Sequence, residues 1–154
     1  MIKPTEEKKI FVYGSLREGF FNYDKYLNGK VSKPTLAKVQ GKLYHLSHKG
    51  YPALLDGDDE VIGEIMEMND FYKDIVPIDK MEGYHSAEDT SLNEYTRTVM
   101  TVKNLETNED EECYVYKYEQ HTHNEFNNHA IYLPMGDWKE YMLSIYRSEE
   151  HTSE

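Results

Sequence analysis

Over most of this chain apolar and polar positions alternate with a period of two, which predicts strands more than helices. Lys9 to Tyr13 opens the pattern and breaks at Gly14-Ser15. Leu36 to Leu46 predicts a second strand, with Val39, Gly41, Leu43 and His45 on one face. A glycine inside a strand suggests a bulge or a close backbone approach. Tyr51 to Leu55 predicts a short edge strand, where Pro52 is tolerated. Val61 to Met68 predicts another strand, around Gly63. Tyr95 to Lys103 and Glu112 to Tyr118 then predict a hairpin across a turn at residues 105–109. In its second arm Tyr114, Tyr116 and Tyr118 share one face, and Cys113, Val115 and Lys117 the other.

Helical spacing is confined to short stretches. Asn69 or Asp70 is placed to cap a helix running toward Met81. Pro77 interrupts it and suits the first turn of a second short helix, Pro77 to Glu82, which Gly83 stops. Asp137 caps a closing helix, with Trp138, Tyr141, Met142 and Ile145 at i, i+3, i+4 and i+7. Residues 22–30 read as loop plus a helical turn, and residues 119–135 as polar and irregular. The expected organisation is a flexible tail at residues 1–8, one domain over residues 9–147, and a frayed end at residues 148–154. Five or six strands with internal glycines imply strong curvature, hence a small barrel or a tightly coiled sheet.

At 154 residues such a chain buries roughly 70% of its extended surface, so it needs neither disulfide nor metal for stability. Cys113 is the only cysteine, which rules out an intrachain disulfide and reads as a small core residue. The net charge of −12 argues against nucleic acid, which needs clustered Lys and Arg, and against an anionic membrane. Two acidic runs, Asp56 to Glu60 and Asn108 to Glu112, read as solvated turns between strands. Residues 1–7 lack the apolar segment of a signal peptide and no apolar run is long enough to span a bilayer. The expected location is the cytoplasm. Fourteen tyrosines favour sheet and supply hydroxyls for a polar pocket.

Gly14-Ser15 carries neither a P-loop nor a dinucleotide fingerprint, and it is not a nucleophile elbow, which needs glycine on both sides of serine. It is either an ordinary strand-end turn or a place where successive amides point at an anion or oxyanion. Glu82 follows Met81 at a helix end, where the macrodipole disfavours a carboxylate. In a cavity its pKa would rise and suit acid–base work; on the surface it would be a solvated carboxylate. His121, His123 and His129 invite a metal, but no Cys, Asp or Glu set completes a site, so none is expected. Trp138 reads as core, or as one wall of a cavity.

Four pieces, in order, resemble the γ-glutamylcyclotransferase-like family, in its AIG2-like and γ-glutamylamine cyclotransferase branch. They are Phe11 to Gly19 with its Tyr13-Gly14-Ser15-Leu16 loop, and Tyr51-Pro52-Ala53-Leu54 followed by Val61 to Ile65. Asp79-Lys80-Met81-Glu82-Gly83-Tyr84 with Tyr95-Thr96-Arg97 is the third, and Glu112 to Tyr118 with Gly136-Asp137-Trp138 the fourth. The resemblance runs from about residue 9 to 143. It implies an α+β fold, a small mixed β-barrel flanked by short helices. It further implies conversion of a γ-glutamyl amine or related conjugate into 5-oxoproline and a free amine. Glu82 is then the catalytic acid/base, Tyr13, Gly14, Ser15 and Leu16 cradle the γ-glutamyl group, and Arg97 and Tyr116 are further substrate-binding candidates. Arg97 reads equally well as a structural ion-pair partner, and Tyr116 as core. The expected partner is a small γ-glutamyl molecule, taken by a monomer or homodimer with no metal or organic cofactor. The same cavity on a non-catalytic protein would bind a γ-glutamyl-like or carboxylate ligand unchanged. The polar segments at residues 85–94 and 119–135 are expected to shape the pocket mouth.

Overall fold

A computed structural model describes residues 8–120 and 123–152; residues 1–7 of the expected tail at residues 1–8, and His121, lie outside the described residues. The order of elements is β1 (Lys9–Val12), α1 (Phe21–Tyr26), β2 (Thr35–Leu46), β3 (Tyr51–Glu67), α2 (Phe71–Met81), β4 (Tyr95–Asn104), β5 (Asp110–Tyr118), α3 (His123–His129), β6 (Ala130–Tyr132) and α4 (Trp138–Thr152). The strands run β3-β1-β5-β4-β2-β6, and a further β3–β2 pairing closes five of them into a barrel with β6 added on β2. The sheet is mixed, because β1 pairs parallel to β5 and antiparallel to β3.

Period-two alternation decides what faces where. Phe11, Val39, Leu43, Leu54, Val61, Ile65, Val102, Cys113 and Val115 form one buried cluster, sealed by Leu133 and Trp138. Ile10, Val12, Met66 and Tyr116 join a second, with Tyr23 and Leu27 beside α1 and Phe71, Ile75 and Ile78 from α2. On α4, Trp138, Tyr141 and Met142 pack against the first cluster as their spacing predicts. Trp138 donates from its indole nitrogen to Nδ1 of His45 at 3.0 Å. The Asp137 carboxylate accepts from the Glu140 amide at 3.1 Å, a standard helix cap.

Three sequence expectations change. The acidic run Asp56 to Glu60 lies within one continuous 17-residue β3 instead of separating two strands. The β2–β3 register jumps there, with Gly41 opposite Asp59 and Lys42 opposite Leu55, so residues 56–58 swing out as a bulge. Gly41 allows this, because a Cβ there would lie 2.7 Å from Leu54 Cδ1. Pro77 does not split α2, which is continuous across it. It sits on the exposed face, where water can take the carbonyl that the ring leaves unbonded. Residues 119–135 are not an irregular insertion: they contain α3 and β6. β6 pairs with Tyr44 to Leu46, and Phe126 of α3 packs on Leu46 and Ala53. A polar segment conceals such elements because α3 is anchored by one buried ring and β6 by backbone pairing, neither of which leaves a period in the sequence.

Arg17 fixes the loop after β1. It is almost fully buried, at 4% exposure. Its Nε donates to Glu64 Oε2 at 3.0 Å and its Nη1 to Asp137 Oδ1 at 3.1 Å. The second Glu64 oxygen accepts from the Glu18 amide at 2.9 Å. One cation thus ties the loop to β3 and to the start of α4.

Arg17→Met should cost about 3–5 kcal/mol by leaving the Glu64 charge buried and unpaired. Arg17→Met/Glu64→Leu should recover most of that loss, and a denaturation double-mutant cycle measures both. Gly63→Ala should cost about 3 kcal/mol in the same assay, since a Cβ there would lie 2.3 Å from the Val12 carbonyl oxygen.

Candidate functional site

The end of β1, the C-terminus of α2 and the start of β4 meet around a cavity of about 260 Å³. Tyr13, Gly14, Ser15 and Leu16 form one side of its lining. Tyr51 and Pro52 from β3 and Tyr116 from β5 form another, and Met81, Glu82, Glu94 and Tyr95 complete it with Asn22.

The loop is built for close approach. A Cβ on Gly14 would lie 2.7 Å from Pro52 Cγ, so any larger residue would push the loop away from β3. A turn forms as the Arg17 amide donates to the Gly14 carbonyl at 3.0 Å. Ser15 Oγ accepts from the Asn22 side-chain amide at 2.8 Å. Among the described residues, no backbone carbonyl takes the amide hydrogen of Gly14, Ser15 or Leu16. These donors belong to residues that line the cavity, so the loop is able to receive an anion or oxyanion.

Glu82 is the C-cap of α2 and Gly83 follows at φ +70°. Two backbone bonds carry the acid to the sheet: the Tyr95 amide donates to the Glu82 carbonyl at 3.2 Å, and the Glu94 amide to the Gly83 carbonyl at 2.9 Å. A helix end that the dipole makes unfavourable for a carboxylate is thereby held at the cavity wall. Glu82 opens onto the cavity and is otherwise enclosed by protein. Burial pushes its pKa up to about 8, and the charges of Glu94 and Asp79 push in the same direction. An acid poised near neutrality can both take and return a proton.

The other two carboxylates are partnered. Glu94 accepts from Tyr51 Oη at 2.9 Å and from Lys49 Nζ at 2.5 Å. Asp79 accepts from Tyr116 Oη at 2.5 Å and lies 3.6 Å from Arg97 Nε. Burial raises the Asp79 pKa, while the Tyr116 hydrogen bond and the Arg97 charge oppose that rise.

The structure therefore brings together Tyr13, Gly14, Ser15, Leu16, Glu82 and Tyr116 from the sequence-derived set. Arg97 is not among the lining residues; it stands behind Asp79, over the rings of Tyr114, Tyr84 and Phe71. Glu94, Tyr51 and Tyr95 line the cavity although the sequence singled out none of them as site residues. Their signals were available: Tyr51 and Tyr95 each open a segment used for the family resemblance, and Glu94 immediately precedes Tyr95. Residues 85–94 are held by Asn93, which is 1% exposed and whose side-chain oxygen accepts from the amides of His85 at 2.6 Å and Ser86 at 3.1 Å. No described residue of 119–135 lines the cavity, which corrects the expectation that this segment shapes its mouth. Of the histidines considered for a metal, His129 stacks on His48 with centroids 4.5 Å apart.

Residues 10–140 match the family described as Gamma-glutamyl cyclotransferase, AIG2-like. A gamma-L-glutamyl-butirosin B gamma-glutamyl cyclotransferase from Niallia circulans is 31% identical over 134 residues, covering 87% of this chain and 77% of that protein. The crystal structure of an AIG2-like protein from Mus musculus is similar with a TM-score of 0.60 and 24% identity, covering 76% of this chain and 80% of that one. YkqA from Bacillus subtilis has a TM-score of 0.63 at 20% identity, over 92% of this chain and 42% of that one. Both likenesses speak to fold alone. Because the family match extends without a break from β1 to the first turn of α4, this chain belongs to the Gamma-glutamyl cyclotransferase, AIG2-like family.

Proposed function

We propose that this protein is a cyclotransferase acting on a γ-glutamyl amine or related conjugate, releasing 5-oxoproline and a free amine, with Glu82 as general acid/base. The observation that carries this reading is that the Glu82 carboxylate and the loop of Gly14 to Leu16 line one cavity. Its volume falls below the roughly 300–1,000 Å³ of drug-sized pockets, which suits a group the size of an amino acid with the departing amine at the mouth.

The chemistry asks little of the protein, because the substrate carries its own nucleophile. Glu82 takes a proton from the α-ammonium. The freed amine attacks the γ-carbonyl carbon, a C–N bond forms, and a five-membered ring closes. The developing oxyanion, or the α-carboxylate, is held by amides of the Gly14 to Leu16 loop. Collapse of the tetrahedral intermediate breaks the original amide bond; Glu82 returns its proton to the leaving nitrogen, and the ring nitrogen sheds its second proton, which the released amine takes up as an ammonium. Water is neither consumed nor released. Folding the substrate onto itself removes much of the entropic barrier. The substrate ammonium, once seated beside Glu82, favours its ionised form. The cytoplasm is the setting we assign to this reaction.

Glu82→Gln should fold and lose at least about 10³-fold in turnover, at the upper part of the usual range for a missing acid–base group. Release of 5-oxoproline from a γ-glutamyl amine panel, read by mass spectrometry, checks this; full turnover by the variant refutes the assignment. Unchanged ligand together with thermal stabilisation of the wild-type chain would instead mark a binding protein.

Acidity supplies a second check. The folded pKa of Glu82 lies above its ordinary 4.5, so its contribution to stability is full below that value and is lost as pH rises through about 8. Glu82→Gln should therefore melt higher than wild type at pH 9, with the difference shrinking toward pH 4.5. In the wild type, kcat/KM should climb about tenfold per pH unit below a break near 8.

A further inference from the structure

The hydroxyls around Glu82 all point their protons away from a guest. Tyr95 donates to the Pro52 carbonyl at 2.6 Å, Tyr51 to the Glu94 carboxylate at 2.9 Å, and Tyr116 to the Asp79 carboxylate at 2.5 Å. A carbonyl only accepts, and so does an ionised carboxylate, which sets the direction of all three bonds. Each phenolic oxygen is left with lone pairs and no proton. Tyr13 donates likewise to the Tyr116 carbonyl at 2.5 Å, but its oxygen also meets the Leu54 backbone amide and is engaged on both sides. Tyr51, Tyr95 and Tyr116 line one cavity with Glu82, and the Glu82 charge reaches each of the three hydroxyls. This wall of the cavity accepts hydrogen bonds and offers none. The loop of Gly14 to Leu16 contributes the reverse, backbone donors.

We propose that the Tyr51–Tyr95–Tyr116 wall is the subsite for the protonated α-amine of the substrate, and that Arg97 sets its polarity by acting through Asp79. The inference rests on the cyclotransferase reading and deepens it. An ammonium brings three donors to a surface made of acceptors; a carboxylate in the same place would meet only lone pairs. The α-carboxylate and γ-carbonyl are thereby turned toward the loop, so the zwitterion is read by two walls of opposite character. Compounds whose α-amine is acylated or missing are refused.

Arg97 is a positioning residue in this scheme. Its guanidinium is stacked on Tyr114 at 4.9 Å, Tyr84 at 5.4 Å and Phe71 at 5.5 Å, with Nε 3.6 Å from Asp79. Its buried Nη1 has no hydrogen-bond partner among the described residues. Such a residue acts by charge and shape. Burial raises the Asp79 pKa, and the Arg97 charge opposes that rise after the Tyr116 hydrogen bond; the Asp79 oxygen nearest Arg97 accepts from Tyr116, which donates outward and presents its oxygen to the cavity. The same Arg97 that sequence placed against substrate thus reaches it through two intermediaries.

The test compares two probes in the Glu82→Gln chain, so that binding is read without turnover. γ-L-Glutamyl methylamide carries the ammonium; glutaric acid monomethylamide lacks it. Calorimetry should show the first binding about tenfold tighter or more, on the order of a hydrogen-bonded charge. Adding Asp79→Leu removes the acceptor of the Tyr116 hydroxyl and frees its proton to turn into the cavity. The preference should then fall at least about fivefold, with affinity for the desamino probe unchanged or improved. Arg97→Leu should act in the same direction, and Arg97→Lys should retain the preference. Should Asp79→Leu fail to fold, Tyr95→Phe reads the same ratio, and its preference should fall. Equal weakening of both probes, or a desamino probe that binds as tightly as the ammonium, overturns the inference. A wild-type chain that shows the preference but releases no 5-oxoproline refutes the reaction alone; turnover without preference refutes this subsite alone.

Discussion

Taking a guanidinium almost wholly out of water costs several kcal/mol, which acceptors around it offset. Arg17 finds them in Glu64 on β3 and Asp137 at the head of α4. Asp137 caps α4 with the same carboxylate oxygen that receives Arg17. The loop carrying Gly14, Ser15 and Leu16, the long strand β3 and the closing helix are therefore bound by one electrostatic requirement. Gly14 adds a steric one, because only glycine lets the loop lie against Pro52. Together they hold the loop in one shape, and a preorganised loop lowers the entropic cost of taking a ligand.

Charge compensation is distributed unevenly around the cavity. Asp79 has Arg97 and Tyr116; Glu94 has Lys49 and Tyr51. Glu82 lies among them and receives neither cation nor hydrogen bond among the causes that set its acidity. Its pKa rises because it is kept away from water and, after that, because the charges of Glu94 and Asp79 act on it. The arrangement costs stability at alkaline pH.

Backbone pairing is what delivers this acid to the cavity. A glutamate at the C-terminus of a helix gains nothing from the helix itself. The paired bonds from Glu82 and Gly83 to Glu94 and Tyr95 hold it there, and they depend on Gly83 adopting a positive φ. The same bonds bring Glu94 and Tyr95 to the wall, so the acid and two of its neighbours arrive as a unit.

Much of this was legible in the chain. Alternation at residues 9–13, 36–46, 95–103 and 112–118 marks strands, and the spacing of Trp138, Tyr141 and Met142 marks the packed face of α4, because neighbouring residues alone encode such periods. The family motifs named Tyr13, Gly14, Ser15, Leu16, Glu82 and Tyr116, which share one cavity. Asp56 to Glu60 misled because acidic residues and glycine disfavour strands in general, whereas a three-residue bulge lets them hang from one in particular. α3 and β6 stayed hidden because their anchors form no period: Phe126 packs on Leu46 and Ala53, Leu133 joins the first cluster, and β6 is held to β2 by backbone pairing. Sequence by itself determined the strands, the glycine stops and the kinship. Tertiary structure alone decided that Arg97 stands behind the cavity, that Tyr51, Glu94 and Tyr95 face it, and which way each phenolic proton points. Those outcomes depend on distances between residues far apart in the chain, and such distances exist only once the barrel has closed.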